Sequence, residues 1–341
     1  MPIHEGENVR IWYDAGTGKQ VRYGAAITKR LRNEGHETVL TTRKHPDTIA
    51  LAEFLQEKYV VVGSYNPKTL QTRLKSGTMR ELHFCRTFEK NAPDVAVSHG
   101  SVDQARVAFG LGKPLILTVD TPYADAVHRL TLPLSKYIVM SKAIPHGAIQ
   151  KYNVDAEIVS FDGVDEVAWV KDFQPRVKYD FGSPLIVVRQ FEMKAVYAKN
   201  ASVNMLALAK KLTQLGTVVF LSRYHRRPVK GLIVPTGFID SLSLVAQADL
   251  FVGVGGTITR EAALQGTPSI SVNVLKGQFV NDFLTEKGFP LFKVDIPEVP
   301  KMAKKLLGSK KNTKPLVAQL ANPVGTIADL VNQIGEKTNV T

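Results

Sequence analysis

The chain has 341 residues, 44% of them hydrophobic and 22% charged, and carries a net charge of +13 at pH 7. This composition excludes a disordered or fibrous chain, and the length is enough for two domains with cores of their own. No apolar run approaches the ~20 residues of a membrane-spanning helix, and the single cysteine, Cys85, excludes an internal disulfide.

Met1–Asn8 lacks a basic and then apolar signal region, so a reducing, cytoplasmic setting is expected. Cys85 lies in a mixed helical stretch and reads as a quiet structural thiol. The positive charge fits three partner classes: phosphate-bearing small molecules, an anionic membrane face, and nucleic acid. The basic residues are spread along the chain in small clusters, with no low-complexity arm or aromatic-rich basic motif, which ranks nucleic acid last.

In chain order, short β-branched runs predict strands at Val9–Tyr13, Thr38–Thr41, Tyr59–Val62, Val95–Ser98, Leu115–Val119 and Tyr137–Met140. Helical patterns lie between them, at Val21–Asn33, Pro46–Glu57, Lys68–Lys90 and Val102–Gly110. The strands show no strict alternation, as expected for a parallel sheet buried on both faces. A turn-rich break spans Phe173–Pro184. The alternation then restarts with strands at Leu185–Val188, Val218–Leu221, Leu232–Val234, Leu250–Gly253 and Ser269–Val272, and helices at Leu242–Gln247 and Thr257–Gln265. Two tail helices, Val299–Leu307 and Thr326–Ile334, close the chain. We therefore expect an α/β protein of two doubly wound, Rossmann-like domains facing a cleft, 1–177 and 178–341, with the last helix packing back on the N-terminal domain.

In such sheets ligands sit at the carboxyl ends of the strands, so residues just after strands are the candidates. After the first strand comes Asp14-Ala-Gly-Thr-Gly-Lys-Gln20. It is not a P-loop, which would need glycine at Tyr13 and Ser or Thr at Gln20, but Gly16, Gly18 and Lys19 either line a site or form a plain turn. His99 follows the fourth strand, as a general base or a loop histidine. Asp120, Asp125, His128 and Arg129 follow the fifth, as acid–base or sugar-holding groups or as loop and cap residues. No ligand pair with metal-site spacing is evident, so no metal is expected. In the second half Arg189 and Arg223 follow strands, where guanidinium forks suit a diphosphate. Asp240 completes the donor-side set.

The stretch Gly255-Gly-Thr-Ile-Thr-Arg-Glu261 is a glycine turn feeding a helix for which Thr257 is the expected cap. Its backbone N–H groups and positive dipole end suit a phosphate, and Glu261, one turn in, suits a sugar hydroxyl. A tight turn with a cap, required by any α/β unit, is the plainer alternative.

Gly255 to Pro268 resembles the nucleotide-sugar loop of GT-B fold proteins, among them the non-hydrolysing UDP-N-acetylglucosamine 2-epimerases and the transferase that adds N-acetylglucosamine to the lipid-linked peptidoglycan precursor. The whole chain is similar to a largely archaeal family, domain of unknown function 354. That similarity is carried by Gly35-His-Glu, Pro93-Asp-Val-Ala-Val-Ser-His-Gly-Ser101, Asp120 to Pro133, Val187 to Tyr197 and the glycine loop. The GT-B resemblance implies that Glu261 binds the ribose of a nucleotide-sugar, UDP-linked, and that Gly255, Gly256 and Thr257 hold its diphosphate. The first domain would hold the acceptor or the reacting sugar. The epimerase pattern is kept at His99-Gly100 but departs at Ser101, which replaces an acidic residue, and at Val188-Arg189, which replaces His-Arg.

These readings lead to a metal-independent glycosyltransferase that needs no cofactor beyond its nucleotide-sugar substrate, with Asp14, His99 or Asp125 as the base. A phosphate-bearing or lipid-linked acceptor at the inner membrane face would suit the basic surface. The alternatives are a nucleotide-sugar epimerase or hydrolase, and a non-enzymatic nucleotide-sugar-binding protein. Oligomeric state is left open.

Overall fold

In the computed structural model, which describes residues 8–152, 154–191, 203–222 and 227–338, the alternating pattern becomes two parallel sheets in two units. The first unit comprises Met1–Ala168 and Ala321–Thr341. Its strands are β1 (Arg10–Ala15), β2 (Glu37–Lys44), β3 (Val60–Ser64), β4 (Val95–Ser98), β5 (Leu115–Val119), β6 (Tyr137–Ser141) and β7 (Glu157–Phe161). They lie in the order β3-β2-β1-β4-β5-β6-β7. β4, β5 and β6 are buried along their whole length, which accounts for their continuous apolar runs. The order reverses between β1 and β4. With right-handed crossovers, this places the helices before and after β3 on opposite faces. Gly18–Asn33, Pro46–Phe54 and Pro323–Thr338 share one layer, and Leu70–Thr87, Val102–Gly110 and Asp125–Thr131 the other.

The second unit, Trp169–Leu320, has β8 (Leu185–Arg189), β9 (Thr217–Leu221), β10 (Leu250–Gly253), β11 (Ser269–Val272) and β12 (Leu291–Val294), ordered β12-β11-β10-β8-β9. Two apolar clusters cover its faces, one around Ile186, Val188 and Ile270 and the other around Val187, Val219 and Phe251. Both β7 and β12 are edge strands with half-exposed or charged residues, Glu157 and Lys293 among them, so neither shows as an apolar run in the sequence. At the expected strand Leu232–Val234 there are only isolated bridges, Val219 to Ile233 and Val229 to Leu232.

The chain passes to the second unit after Ala168, ahead of the boundary at 177/178 expected from sequence. The reason lies in the turn-rich segment itself, which is tied to the helix Ser241–Gln247. Arg176 N donates to Ser243 Oγ (3.2 Å), Tyr179 N to Gln247 Oε1 (3.0 Å), and Gln247 Nε2 to the Val177 carbonyl (2.8 Å). The closing helix Pro323–Thr338 lies in the first unit. Asn332 Oδ1 meets His36 Nε2 at 2.8 Å, and a Cβ at Gly335 would come within 2.7 Å of Val9.

One buried ion pair ties the first sheet to its helix layer. Asp14, at the end of β1, is 0% exposed and receives Arg80 in both carboxylate oxygens, at 2.5 and 2.9 Å. Thr41 Oγ1 (2.7 Å) and Ser101 Oγ (2.5 Å) also donate to it, and Arg80 Nε reaches the Val62 carbonyl (2.9 Å). Removing one partner of such a pair strands a buried charge, at a cost of about 3–5 kcal/mol. Arg80→Ala should lower the melting midpoint of this unit by on the order of 10 °C. Arg80→Lys, which keeps the charge but loses the fork, should recover only part; calorimetry of the three proteins checks this.

Candidate functional site

In the first unit the loops after β1, β4, β5 and β7 converge on one charged cluster. The glycine loop after β1 starts the helix Gly18–Asn33 and is closed by its own side chains. Thr17 Oγ1 caps the helix by accepting from Gln20 N (3.4 Å), and Gln20 Oε1 accepts from Gly16 N (2.7 Å). Gln20 Nε2 donates to the His99 carbonyl (2.5 Å), joining this loop to the one after β4. Two N–H groups that could have cradled an anion are thereby engaged. Gly16 and Gly18 serve a tight turn, which presents Lys19.

Lys19 Nζ sits 2.5 Å from Asp120 Oδ2, 2.8 Å from Asp165 Oδ2 and 3.8 Å from Glu166 Oε1. His99 Nε2 is 3.3 Å from Asp120 Oδ1, and Nδ1 is 2.7 Å from Thr118 Oγ1 and 3.6 Å from Asp165 Oδ2. Tyr23 OH donates to Asp165 Oδ1 at 3.4 Å. Asp165 and Glu166 are buried, and Lys19, His99 and Asp120 nearly so. Three carboxylates thus face one lysine and one imidazole. Burial, reinforced by the charge of Asp165, holds the Tyr13 and Tyr23 hydroxyls well above the ordinary phenol range, so both remain protonated.

His99, Asp120 and Asp165 offer three ligand atoms within 4.8 Å of one another, a constellation invisible in sequence spacing. An imidazole with two carboxylates is suitable chemistry for a divalent cation. The Lys19 ammonium, however, already lies against both carboxylates, where such an ion would bind. The residues present fit a lysine-bridged acid–base cluster rather than a metal centre.

Three first-unit candidates take other roles. Asp14 is enclosed by Arg80, Thr41 and Ser101 and cannot serve as an acceptor's base. Asp125 is exposed and paired one turn along with Arg129 (2.9 Å), whose hydrogen bond holds its carboxyl below the usual range and weakens it as a base. His128 is 5% exposed, donates Nε2–H to the Thr121 carbonyl (2.7 Å) and packs edge-on against Tyr152. Burial lowers its pKa, so it is a neutral structural histidine.

In the second unit the glycine turn follows β10. Gly255 and Gly256 have φ of 89° and 91°, in the left-handed region that favours glycine, and a Cβ at Gly255 would lie 2.3 Å from Gln278 Oε1. The helix Thr257–Leu264 is capped by Gly256 with no side-chain hydrogen bond; Thr257, the expected cap, is its first residue. Glu261 is 1% exposed, and its Oε1 accepts from Trp169 Nε1 at 2.8 Å. Arg189 is half-buried at the end of β8, with Nη1 3.4 Å from the Leu221 carbonyl. Arg223 lies outside the described residues. Asp240 is not a ligand residue. It is fully buried as the cap of Ser241–Gln247, accepting from Ser243 N (3.0 Å) and from the Ser243 hydroxyl.

Sequence reasoning missed Asp165, Glu166 and Trp169. The first two follow β7, the edge strand that lacked an apolar signature, and Asp162-Gly-Val-Asp-Glu166 was the available hint. Trp169 opens the second unit ahead of its first strand, where no periodicity ties it to Glu261.

A family model described as "Protein of unknown function (DUF354)" matches residues 9–336. An uncharacterized protein of Methanocaldococcus jannaschii is 28% identical over 340 residues, covering 95% of this chain and 98% of that one. Among solved structures, a candidate UDP-N-acetylglucosamine 2-epimerase from Listeria monocytogenes superposes with a TM-score of 0.70 at 14% identity, covering 95% of this chain and 94% of that one. The glycotransferase of kitacinnamycin gives 0.61 at 14%, covering 96% and 99%. The Streptomyces sp. SF2575 glycosyltransferase SsfS6, complexed with thymidine diphosphate, gives 0.58 at 17%, covering 96% and 100%. These likenesses establish the fold, GT-B with two Rossmann-like sheets.

His128 provides a pH test of the first unit. Its lowered folded pKa means that the unfolded chain binds the extra proton first as pH falls below the ordinary value of 6.5. Stability is therefore lost on acidification through that window. Urea midpoints between neutral and mildly acid pH should fall less steeply for His128→Asn than for wild type.

Proposed function

The chain belongs to the DUF354 family, and on that footing we propose that it transfers a sugar from a nucleotide-sugar, UDP-linked, to an acceptor hydroxyl. The observation that carries this reading is the Gly255-Gly256 turn. Two left-handed glycines open a helix that no side chain caps, and Glu261 stands one turn in, oriented by Trp169. The helix start and Arg189 take the diphosphate, and Glu261 accepts from a ribose hydroxyl. As the acceptor oxygen bonds to the anomeric carbon, the bond from that carbon to the phosphate oxygen breaks, and the leaving charge develops at the helix N-terminus.

The first unit supplies the base. In the tautomer that donates Nδ1–H to Thr118 Oγ1, Nε2 of His99 is the basic nitrogen. The imidazolium formed when it takes the acceptor's proton is flanked by Asp120 and Asp165. Lys19 balances those carboxylates, and the reading requires no metal. A second reading, nucleotide-sugar epimerisation by elimination, is favoured by the same cluster, since it sets several acid–base groups side by side. Incubation with UDP-N-acetylglucosamine followed by proton NMR separates the two: a new sugar epimer without acceptor supports epimerisation.

Calorimetric titration with UDP and UDP-sugars should give saturable binding. Glu261→Ala should weaken it about 10–100-fold, as for a lost hydrogen bond to a charged group. Trp169→Phe should narrow the preference for UDP over 2′-deoxy-UDP while leaving affinity for the deoxy compound unchanged. His99→Gln should retain nucleotide binding and lose about 10²–10⁴ in turnover. A wild-type protein that binds no nucleoside diphosphate refutes the reading.

A further inference from the structure

Among the described residues, eleven of the thirteen large apolar side chains left exposed lie between Val60 and Leu130; the second unit contributes only Phe238 and Ile296. The most exposed share one layer. Leu70–Thr87 packs against Val102–Gly110, which packs against Asp125–Thr131. From these helices Leu70 (80% exposed), Leu74 (72%), Phe109 (59%) and Leu130 (55%) project into solvent. Leu70 and Leu74 are one helical turn apart and so form a continuous strip.

The polar residues exposed among them are strongly biased. Lys75, Arg86, Arg106 and Arg129 are exposed on the same three helices, whereas Asp125 is their one exposed acidic residue, and it is paired with Arg129. The other two acids there, Glu81 and Asp103, are half-buried, and Asp103 meets Arg80 at 3.1 Å. The face is therefore apolar and cationic.

We propose that this three-helix face docks the protein on an anionic bilayer surface. Leucine and phenylalanine side chains enter the boundary between headgroups and acyl chains, and each nearby lysine or arginine gains about 1 kcal/mol from anionic lipid. A second copy of the chain is a poor occupant, because a two-fold interface would set Lys75, Arg86 and Arg106 against the same charges. A nucleic acid would satisfy the cations but leave the apolar strip in water. The inference is independent of the proposed function, since it concerns none of the residues of either candidate site.

Co-sedimentation with vesicles tests it. The protein should pellet with phosphatidylcholine–phosphatidylglycerol vesicles and remain in solution with phosphatidylcholine alone. The double variants Leu74→Glu/Phe109→Glu and Lys75→Glu/Arg106→Glu should each reduce the bound fraction about tenfold or more. Their melting midpoints should be unchanged, because the substituted side chains are solvent-exposed. Phe238→Glu, in the other unit, should bind as wild type. The proposal is overturned if wild type ignores both vesicles or if Leu74→Glu/Phe109→Glu binds normally. It is equally overturned if that variant turns a solution oligomer into a monomer while wild type ignores vesicles, which would make the face a self-interface.

Discussion

A carboxylate taken out of water needs a matching cation, and the first unit depends on meeting that need twice at the carboxyl edge of its sheet. Arg80 meets Asp14 in a two-pronged pair, fixing the end of β1 to the helix layer behind it. Lys19 then meets Asp120 and Asp165, drawing together the loops after β1, β5 and β7. The first network is saturated: Asp14 accepts four hydrogen-bond donors and is sealed from solvent. The second has three carboxylates for one ammonium and retains a partly accessible histidine. Saturation makes the one structural, and the excess of titratable groups makes the other suited to proton transfer.

The second unit applies a different constraint. Its glycine turn carries no charge of its own, and its helix start is left without a side-chain cap. What it offers is backbone geometry: two residues in the left-handed region at a helix start, with Gln278 close behind Gly255. The Glu261 carboxylate, one turn into the helix, receives the Trp169 indole N–H. That neutral donor fixes the carboxylate's orientation at the helix start.

The sequence showed the architecture where burial was two-sided. β4, β5, β6 and β10 are buried throughout and mostly apolar, and each was legible within a residue or two at its ends. It failed at the edges, where β7 and β12 keep polar residues facing water. That failure carried into the site, because Asp165 and Glu166 become candidates only once β7 is recognised. Rules of position after a strand point to Lys19, His99 and Asp120 separately, and only the structure brings them into one cluster. Asp14, at the end of β1, and Asp240, named for the donor side, are instead buried within the protein. Position relative to a strand is encoded locally; the direction of a side chain depends on partners such as Arg80 and Ser243, distant or unremarkable in sequence.

The net charge of +13 takes on a sharper meaning once the basic residues are placed. Arg22, Arg80 and Arg260 are buried, and Arg80 neutralises internal carboxylates, so these add little to the field outside. Lys19 is likewise balanced within its cluster. The charges that a partner meets are the surface ones, and on the three-helix layer of the first unit they stand beside exposed leucine and phenylalanine with almost no exposed carboxylate. Total charge alone fits phosphate ligands, nucleic acid and membranes equally well. The neighbours of each charge separate these classes: arginine beside a glycine turn suits a diphosphate, and lysine and arginine beside exposed apolar side chains suit an anionic lipid surface.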